Sequence, residues 1–236
     1  MERGKKKVGT SKGYISPTNI PWRQAKRAVT SFARDSGSDF KLQRAVGNYA
    51  AAKVSDASNY QAAVKSISRV AKVIGSAGSG RLGNYLHEIL RDDLIGKSAE
   101  ELMTALLYDE MNNGSSAEEQ LLIDTIPQVL ENLEIVTQED LRSITPASFM
   151  VEFLGEFICN DFDRCFDEQI RRHISPREYD QVIGRIHGYI KNTIYELKDS
   201  LAGAVTSFDK LESNTIVTNC LNDAFQIFKT LYVKGE

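Results

Sequence analysis

Along almost the whole of this 236-residue chain, apolar residues recur at intervals of three and four, and no segment sustains a period of two. A helix turns once every 3.6 residues, whereas strand side chains alternate between faces. The spacing therefore selects helices and leaves little room for a sheet. Residues 62–74 show it most clearly: Ala63, Val64, Ile67, Val70, Ala71 and Ile74 form one stripe, with Lys65, Arg69 and Lys72 outside it. The same reading places helices at 22–34, with Ala25, Val29 and Phe32 inward, and at 40–52, with Leu42, Val46 and Tyr49 inward. The longest runs lie late in the chain. Phe149, Phe153, Leu154, Phe157, Ile158, Cys165, Phe166 and Ile170 form one, and Tyr179, Val182, Ile183, Ile186, Ile190, Leu197 and Leu201 form the next, after a turn near Ile174. They predict two long helices packed antiparallel. A last helix at 215–232 turns Val217, Cys220, Leu221, Ala224, Phe228 and Leu231 inward. The expected fold is all-α, a multi-helix bundle with a long antiparallel C-terminal hairpin and a disordered N-terminal tail.

Start and stop signals recur at helical lengths. Ser98 with Glu101, and Ser116 with Glu119, have capping-box spacing. Thr145-Pro146 and Ser175-Pro176 each set a capping residue before a proline at the first helical position. Pro127 is expected to kink or split the segment 116–134. The glycine-rich stretch 75–80 is expected to break or bend the pattern before a helix at 82–90.

The net charge of −3 hides an asymmetry. Residues 1–97 hold 18 Lys/Arg against 7 Asp/Glu, a net of +11, and residues 98–236 hold 11 against 25, a net of −14. Three regions follow: a basic, glycine-containing tail at 1–21, a basic helical region at 22–112 and an acidic one at 113–236. Arg23, Lys26, Arg27 and Arg34 stand out on the first helix as a basic docking surface. Such polarity suits a phosphate-rich partner, head-to-tail self-association, or two halves that attract each other. No apolar run approaches the roughly 18 to 20 residues that a membrane span needs. Residues 1–8 lead into no apolar signal segment, and Cys159, Cys165 and Cys220 make no disulfide framework. The cytoplasm is the expected compartment.

Apparent catalytic motifs fail on their spacing. Residues 75–82 place two glycines five apart, but Arg81 and Leu82 stand where a phosphate-binding loop needs Lys and then Ser or Thr. His87-Glu88 lacks the second histidine of a zinc-protease helix. Cys159 and Cys165 are six apart, about 120° around a helix, and read as buried thiols. Glu152 with Glu156, and Asp161, Asp163, Asp167 and Glu168, read as solvated helix carboxylates. No enzyme activity, metal or cofactor is expected.

Gly9-Thr10-Ser11-Lys12-Gly13-Tyr14, a proline-containing linker, Trp22-Arg23-Gln24-Ala25-Lys26 and a basic helix follow in order. Leu42-Gln43-Arg44-Ala45-Val46, Tyr49 and Gly80-Arg81-Leu82-Gly83 come after. This succession resembles the QatB family of the bacterial Qat anti-phage defence system. The resemblance covers residues 9–110 and thins to helical character alone in the acidic half. It implies an accessory protein working beside a P-loop ATPase of the KAP type, a QueC-like enzyme and a TatD-like nuclease, which would hold the catalytic chemistry. Enzymes similar to QueC activate a deazaguanine carboxylate as an acyl-adenylate and let an amine attack it. Gly9, once N-terminal, is the acceptor this suggests, being the least hindered residue, with Thr10, Ser11 and Tyr14 holding the tail in the partner's cleft. The alternative is a docking strand that is never modified. Family members often begin Met-Gly-Thr-Ser, whereas here residues 1–8 come first. Either this leader is removed, or position 8 is the true start, read from a GUG codon.

Three functional readings follow: an accessory protein presenting its tail to the QueC-like partner, a nucleic-acid-binding adaptor using the basic half, and a structural oligomerisation module.

Overall fold

The first helix begins at an asparagine cap. Asn19 Oδ1 accepts the Trp22 N–H at 3.2 Å, and Pro21 occupies the first turn, where its missing N–H breaks no helical bond. The computed structural model describes residues 19–55, 61–110 and 117–233, among which there are eleven α-helices and no strand. They are α1 (Ile20–Ala33), α2 (Asp39–Val54), α3 (Gln61–Gly78), α4 (Leu82–Glu88), α5 (Ala99–Glu110), α6 (Ala117–Asn132), α7 (Pro146–Arg171), α8 (Pro176–Tyr195), α9 (Lys198–Ala204), α10 (Phe208–Leu211) and α11 (Asn214–Val233). The all-helical expectation holds.

The predicted caps explain several boundaries. Ser98 and Glu101 exchange both capping-box bonds at 3.1 Å ahead of α5. Thr145 and Ser148 close a similar box before Pro146, and Ser175 with Glu178 does so before Pro176. Ser116 lies outside the described residues.

Three boundaries sharpen or depart from the sequence reading. The first concerns the glycines. Helix α3 runs through Gly75 to Gly78, and the break expected within 75–80 falls at the far end of that stretch, where Gly80, with a φ of +69°, lets Arg81 N–H reach back to the Ser76 carbonyl at 2.8 Å. Gly75 is not a breaker but a contact point: a Cβ there would lie 3.2 Å from Phe208 Cβ, so its bare backbone lets α10 approach. Second, Pro127 does not split α6, which continues from Ala117 to Asn132. Ile123 and Ile126 before the proline, and Val129 and Leu130 at or beyond the next turn, are all buried. Burial on both sides opposes the roughly 3 kcal/mol that an interior proline costs a helix. Third, the apolar run from Tyr179 to Leu201 is divided between α8 and α9, with Leu197 capping the second. At the end of α11, Leu231 is 37% exposed rather than inward.

Helix α7 lies at the centre. It packs against α1, α6, α8 and α9, while α2 packs against α1, α8 and α11, and α3 against α6, α10 and α11. Its antiparallel relation to α8 shows in the pairings: Glu156 meets Lys191, Asp163 meets His187, and Asp167 meets Tyr179. One buried apolar cluster draws members from every helix. The basic and acidic stretches of sequence therefore share a core.

Around Tyr49 that core is aromatic. Its ring stands edge-on to Trp22, Phe162, Phe166 and Phe225 at centroid distances of 5.2–6.4 Å. Such T-shaped pairs each add about 0.5–1.5 kcal/mol beyond simple burial. They lock α1, α2, α7 and α11 together and fix the outward face of α1.

Candidate functional site

Helix α1 divides cleanly into two faces. At 100° per residue, Trp22, Ala25, Ala28, Val29, Phe32 and Ala33 fall on one side, and all are buried. Arg23, Lys26, Arg27, Thr30, Ser31 and Arg34 fall on the other, and the helix carries no acidic residue. Where that outer face meets α7 and the start of α2 it forms an open groove of about 450 Å³. Its lining is four cations (Lys26, Arg27, Arg34 and Lys41), the hydroxyls of Thr30 and Ser31, and the Gln169 amide. Gln169 secures the seam: its Nε2 donates to the Lys26 carbonyl and to Thr30 Oγ1, both at 2.5 Å.

The carboxylates around the groove already hold other groups. Asp35 pairs with Lys41 at 2.8 Å, and Asp39 pairs with Arg185, which also sits over the Phe32 ring. On α7, Asp167 accepts from Arg171 and Tyr179, and Glu168 from Arg172. Among the described residues, Arg23, Lys26, Arg27 and Arg34 have no carboxylate partner within salt-bridge distance. Of the four residues assigned to a basic docking surface, Lys26, Arg27 and Arg34 line the groove, and Arg23 extends the row one turn towards the N-terminus. Gly9, Thr10, Ser11 and Tyr14 lie outside the described residues.

A second charged assembly, unforeseen in the sequence, lies inside the protein. Asp161 on α7 is fully buried. Its Oδ2 accepts from Tyr49 Oη at 2.5 Å and Lys53 Nζ at 2.9 Å, and its Oδ1 from Arg164 Nη2 at 2.5 Å. Lys53 is itself 1% exposed. Burial pushes the Asp161 carboxyl up, but the Lys53 and Arg164 charges and the tyrosine hydrogen bond outweigh it and hold the group below its usual range. Glu118, half-buried at the start of α6, completes the assembly and accepts the Ala63 N–H in the first turn of α3. Its pKa is pushed up to about 7, chiefly by burial and further by Asp161, against the pull of Lys53 and Arg164.

The solvated reading of the α7 carboxylates thus fails at two positions, Asp161 and Glu156. Glu156 is 5% exposed and takes hydrogen bonds from Asn132 and Lys191. A signal for Asp161 was present: Ile158, Asp161 and Cys165 stand at i, i+3 and i+7 within the apolar stripe. The remaining candidates fall apart spatially. His87 pairs with Asp92 on the surface, His187 with Asp163 at 3.0 Å, and burial drives the Cys159 thiol well above its ordinary pKa. Among the described residues no group of three His, Cys, Asp or Glu could hold a metal ion, and no helix is long and apolar enough to cross a membrane.

Fold and groove define a class first: a helical body, cross-braced by a buried ion cluster, whose first helix turns outward a row of cations with no carboxylate partner among the described residues. Comparison with known families makes it specific. Residues 52–228 match the family of the Qat anti-phage system associated protein QatB, and the chain belongs to that family. Membership implies a role in the Qat anti-phage system. The match differs in extent from the resemblance read at 9–110: it includes the acidic half and begins after the N-terminal motifs. No curated protein and no solved structure matches the chain.

Proposed function

We propose that this protein is a non-catalytic accessory component of the Qat system, working in the cytoplasm, which presents its N-terminal Gly-Thr-Ser segment to a QueC-like partner. Family membership carries the reading. The helical body docks the remaining components, a KAP-type ATPase and a TatD-like nuclease. In the step proposed, the α-amine of Gly9, exposed once the preceding residues are gone, attacks a 7-deazaguanine acyl-adenylate. An amide bond forms, the acyl–phosphate bond breaks, AMP leaves and the amine gives up a proton. An ordinary α-amino group titrates near pH 7.7–8.0, so a useful neutral fraction is present at cellular pH. Thr10, Ser11 and Tyr14 hold the segment in the partner's cleft.

Intact-mass and N-terminal peptide spectra test this, taken with and without the QueC-like gene co-expressed. A chain that begins at Gly9 and gains the mass of the base only with that gene supports the acceptor role. An unmodified N-terminus in both samples refutes conjugation and leaves residues 9–14 as a docking strand.

The groove favours a second reading alongside the first, in which the basic face retains nucleic acid near the nuclease. Lys26, Arg27 and Arg34, which have no carboxylate partner among the described residues, are interspersed with hydroxyls, and such side chains contact phosphates.

A further inference from the structure

We propose that the groove between α1 and α7 is a binding site for the phosphate backbone of duplex nucleic acid, read without regard to sequence. This rests on the nucleic-acid reading above and makes it specific in two respects, the form of the ligand and the residues that hold it.

The row is straight and rigid. Arg23, Lys26 and Arg27 project from the outer face of α1, and Arg34, its C-cap in helical conformation, continues the row. At about 1.5 Å rise per residue, they span roughly 16 Å. The opposite face of that helix is anchored by fully buried Trp22, Val29 and Phe32, and Gln169 holds α7 against its backbone. Pre-organisation of this kind suits a regular array of charges. A duplex offers one, with a phosphate about every 3.4 Å along each strand.

A single strand is bound differently. Its recognition combines a basic track with exposed aromatic rings on which bases stack. No aromatic side chain lines the groove. Trp22, Phe32 and Phe166 beside it are turned into the core. Phe40, 49% exposed and next to Lys41 in sequence, lies outside the lining and is the residue that a stacking mode would have to recruit. An acidic protein segment is also a poorer fit. Interface hot spots lie in well-packed, fully desolvated pockets, often around Trp, Tyr or Arg, and this open lining supplies arginines but no aromatic wall to enclose an anchor.

The number of free cations sets the expected salt dependence. Lys41 is partly satisfied by Asp35, which leaves Lys26, Arg27 and Arg34 of the lining together with Arg23 beside it, four cations with no carboxylate partner among the described residues. Each neutralised duplex phosphate contributes about −0.9 to the slope of log K against log salt, so the slope should be about −3.6. Affinity should then fall roughly 100-fold between 50 and 200 mM salt.

The test uses the full chain and fluorescence anisotropy with a labelled mixed-sequence duplex of about 24 base pairs, and with an unstructured single strand of equal length. Duplex binding with a slope between about −3 and −5, and at least tenfold weaker single-strand binding, would support the proposal. The K26E/R27E/R34E variant should lose at least 100-fold. Reversing three exposed cations elsewhere, Lys65, Lys97 and Arg142, should change affinity less than threefold. Circular dichroism of each variant separates lost binding from lost fold. Equal or tighter binding of the single strand, weakened by F40A, overturns the duplex assignment while sparing the nucleic-acid reading. Binding of neither strand at 50 mM salt overturns both, and capture of a poly-glutamate peptide in its place would make the groove a protein dock.

Discussion

Two clusters of positive charge among the described residues could hardly differ more in circumstance. In the interior, Lys53 and Arg164 close on Asp161 under the aromatic wall of Trp22, Tyr49, Phe162 and Phe166. On the surface, Arg23, Arg27 and Arg34 stand exposed in a row with no carboxylate against them among the described residues. The same residue types thus serve opposite ends. A buried cation fixes how helices cross, because leaving it unpaired in a medium of low polarity is very unfavourable. An exposed, unpaired cation contributes almost nothing to folding, so its arrangement is free to serve a partner. Removing the charges at each place should therefore separate stability from binding.

The largest effect should come from Asp161→Asn. The substitution removes the fully buried carboxylate that Lys53 and Arg164 share, and losing one partner of a buried pair typically costs 3–5 kcal/mol. Urea unfolding should show a loss in that range, and the double variant D161L/K53M should recover a large part of it by removing both sides of the principal pair. A loss below about 1 kcal/mol for Asp161→Asn would mean that water or rearrangement satisfies the cluster. The same carboxylate sets an acid limit on the fold. Its pKa is held low in the folded protein, so its contribution is present above the ordinary aspartate range and fades as pH falls through the depressed value.

Glu118 carries the opposite sign and a smaller effect. Its folded pKa of about 7 lies above the ordinary value of about 4.5, so the folded state binds the extra proton between those limits. Stability from this group therefore declines as pH rises from about 4.5 to 7 and is level beyond. Glu118→Gln removes the ionisation. The variant's midpoint relative to the parent should rise across that window and stay constant above pH 7.5. A difference that is flat from pH 4 to 8 would show that Glu118 is well solvated and outside the cluster.

These residues also mark where sequence reading reached its limit. Periodicity places most of the helices, because an apolar stripe needs no knowledge of what covers it, and cap chemistry locates α5, α7 and α8 from three or four residues each. The outer face of α1 was legible for the same reason, since Arg23, Lys26, Arg27 and Arg34 are close in sequence. Asp161 and Lys53 are 108 positions apart, and each alone looks like a solvated charge on a helix. Only the fold, which brings the Lys53 and Tyr49 side chains of α2 to Asp161 on α7, reveals them as a pair. Local propensity locates the glycine break only to the stretch 75–80 and allows a split at Pro127, whereas the fold sets the break at Gly80, packs α10 against Gly75 and carries α6 through the proline between buried flanks.

The smallest expected effect is the stability change of the groove variant, and it decides whether the contrast is real. Reversing half-buried Lys26 and exposed Arg27 and Arg34 places three carboxylates on a face where, among the described residues, the parent has no ion pair to lose. Surface substitutions of this kind usually fall within about ±0.5 kcal/mol each. Two local terms oppose each other: acidic side chains are less suited than arginine to the last turn of α1, through the helix dipole, while they relieve repulsion within a row of like charges. Their near-cancellation predicts an unfolding midpoint close to that of the parent. A large destabilisation would show that the cationic face is held by contacts within the chain, and the groove would then belong with the Asp161 cluster as part of the scaffold rather than as a surface kept open for a ligand.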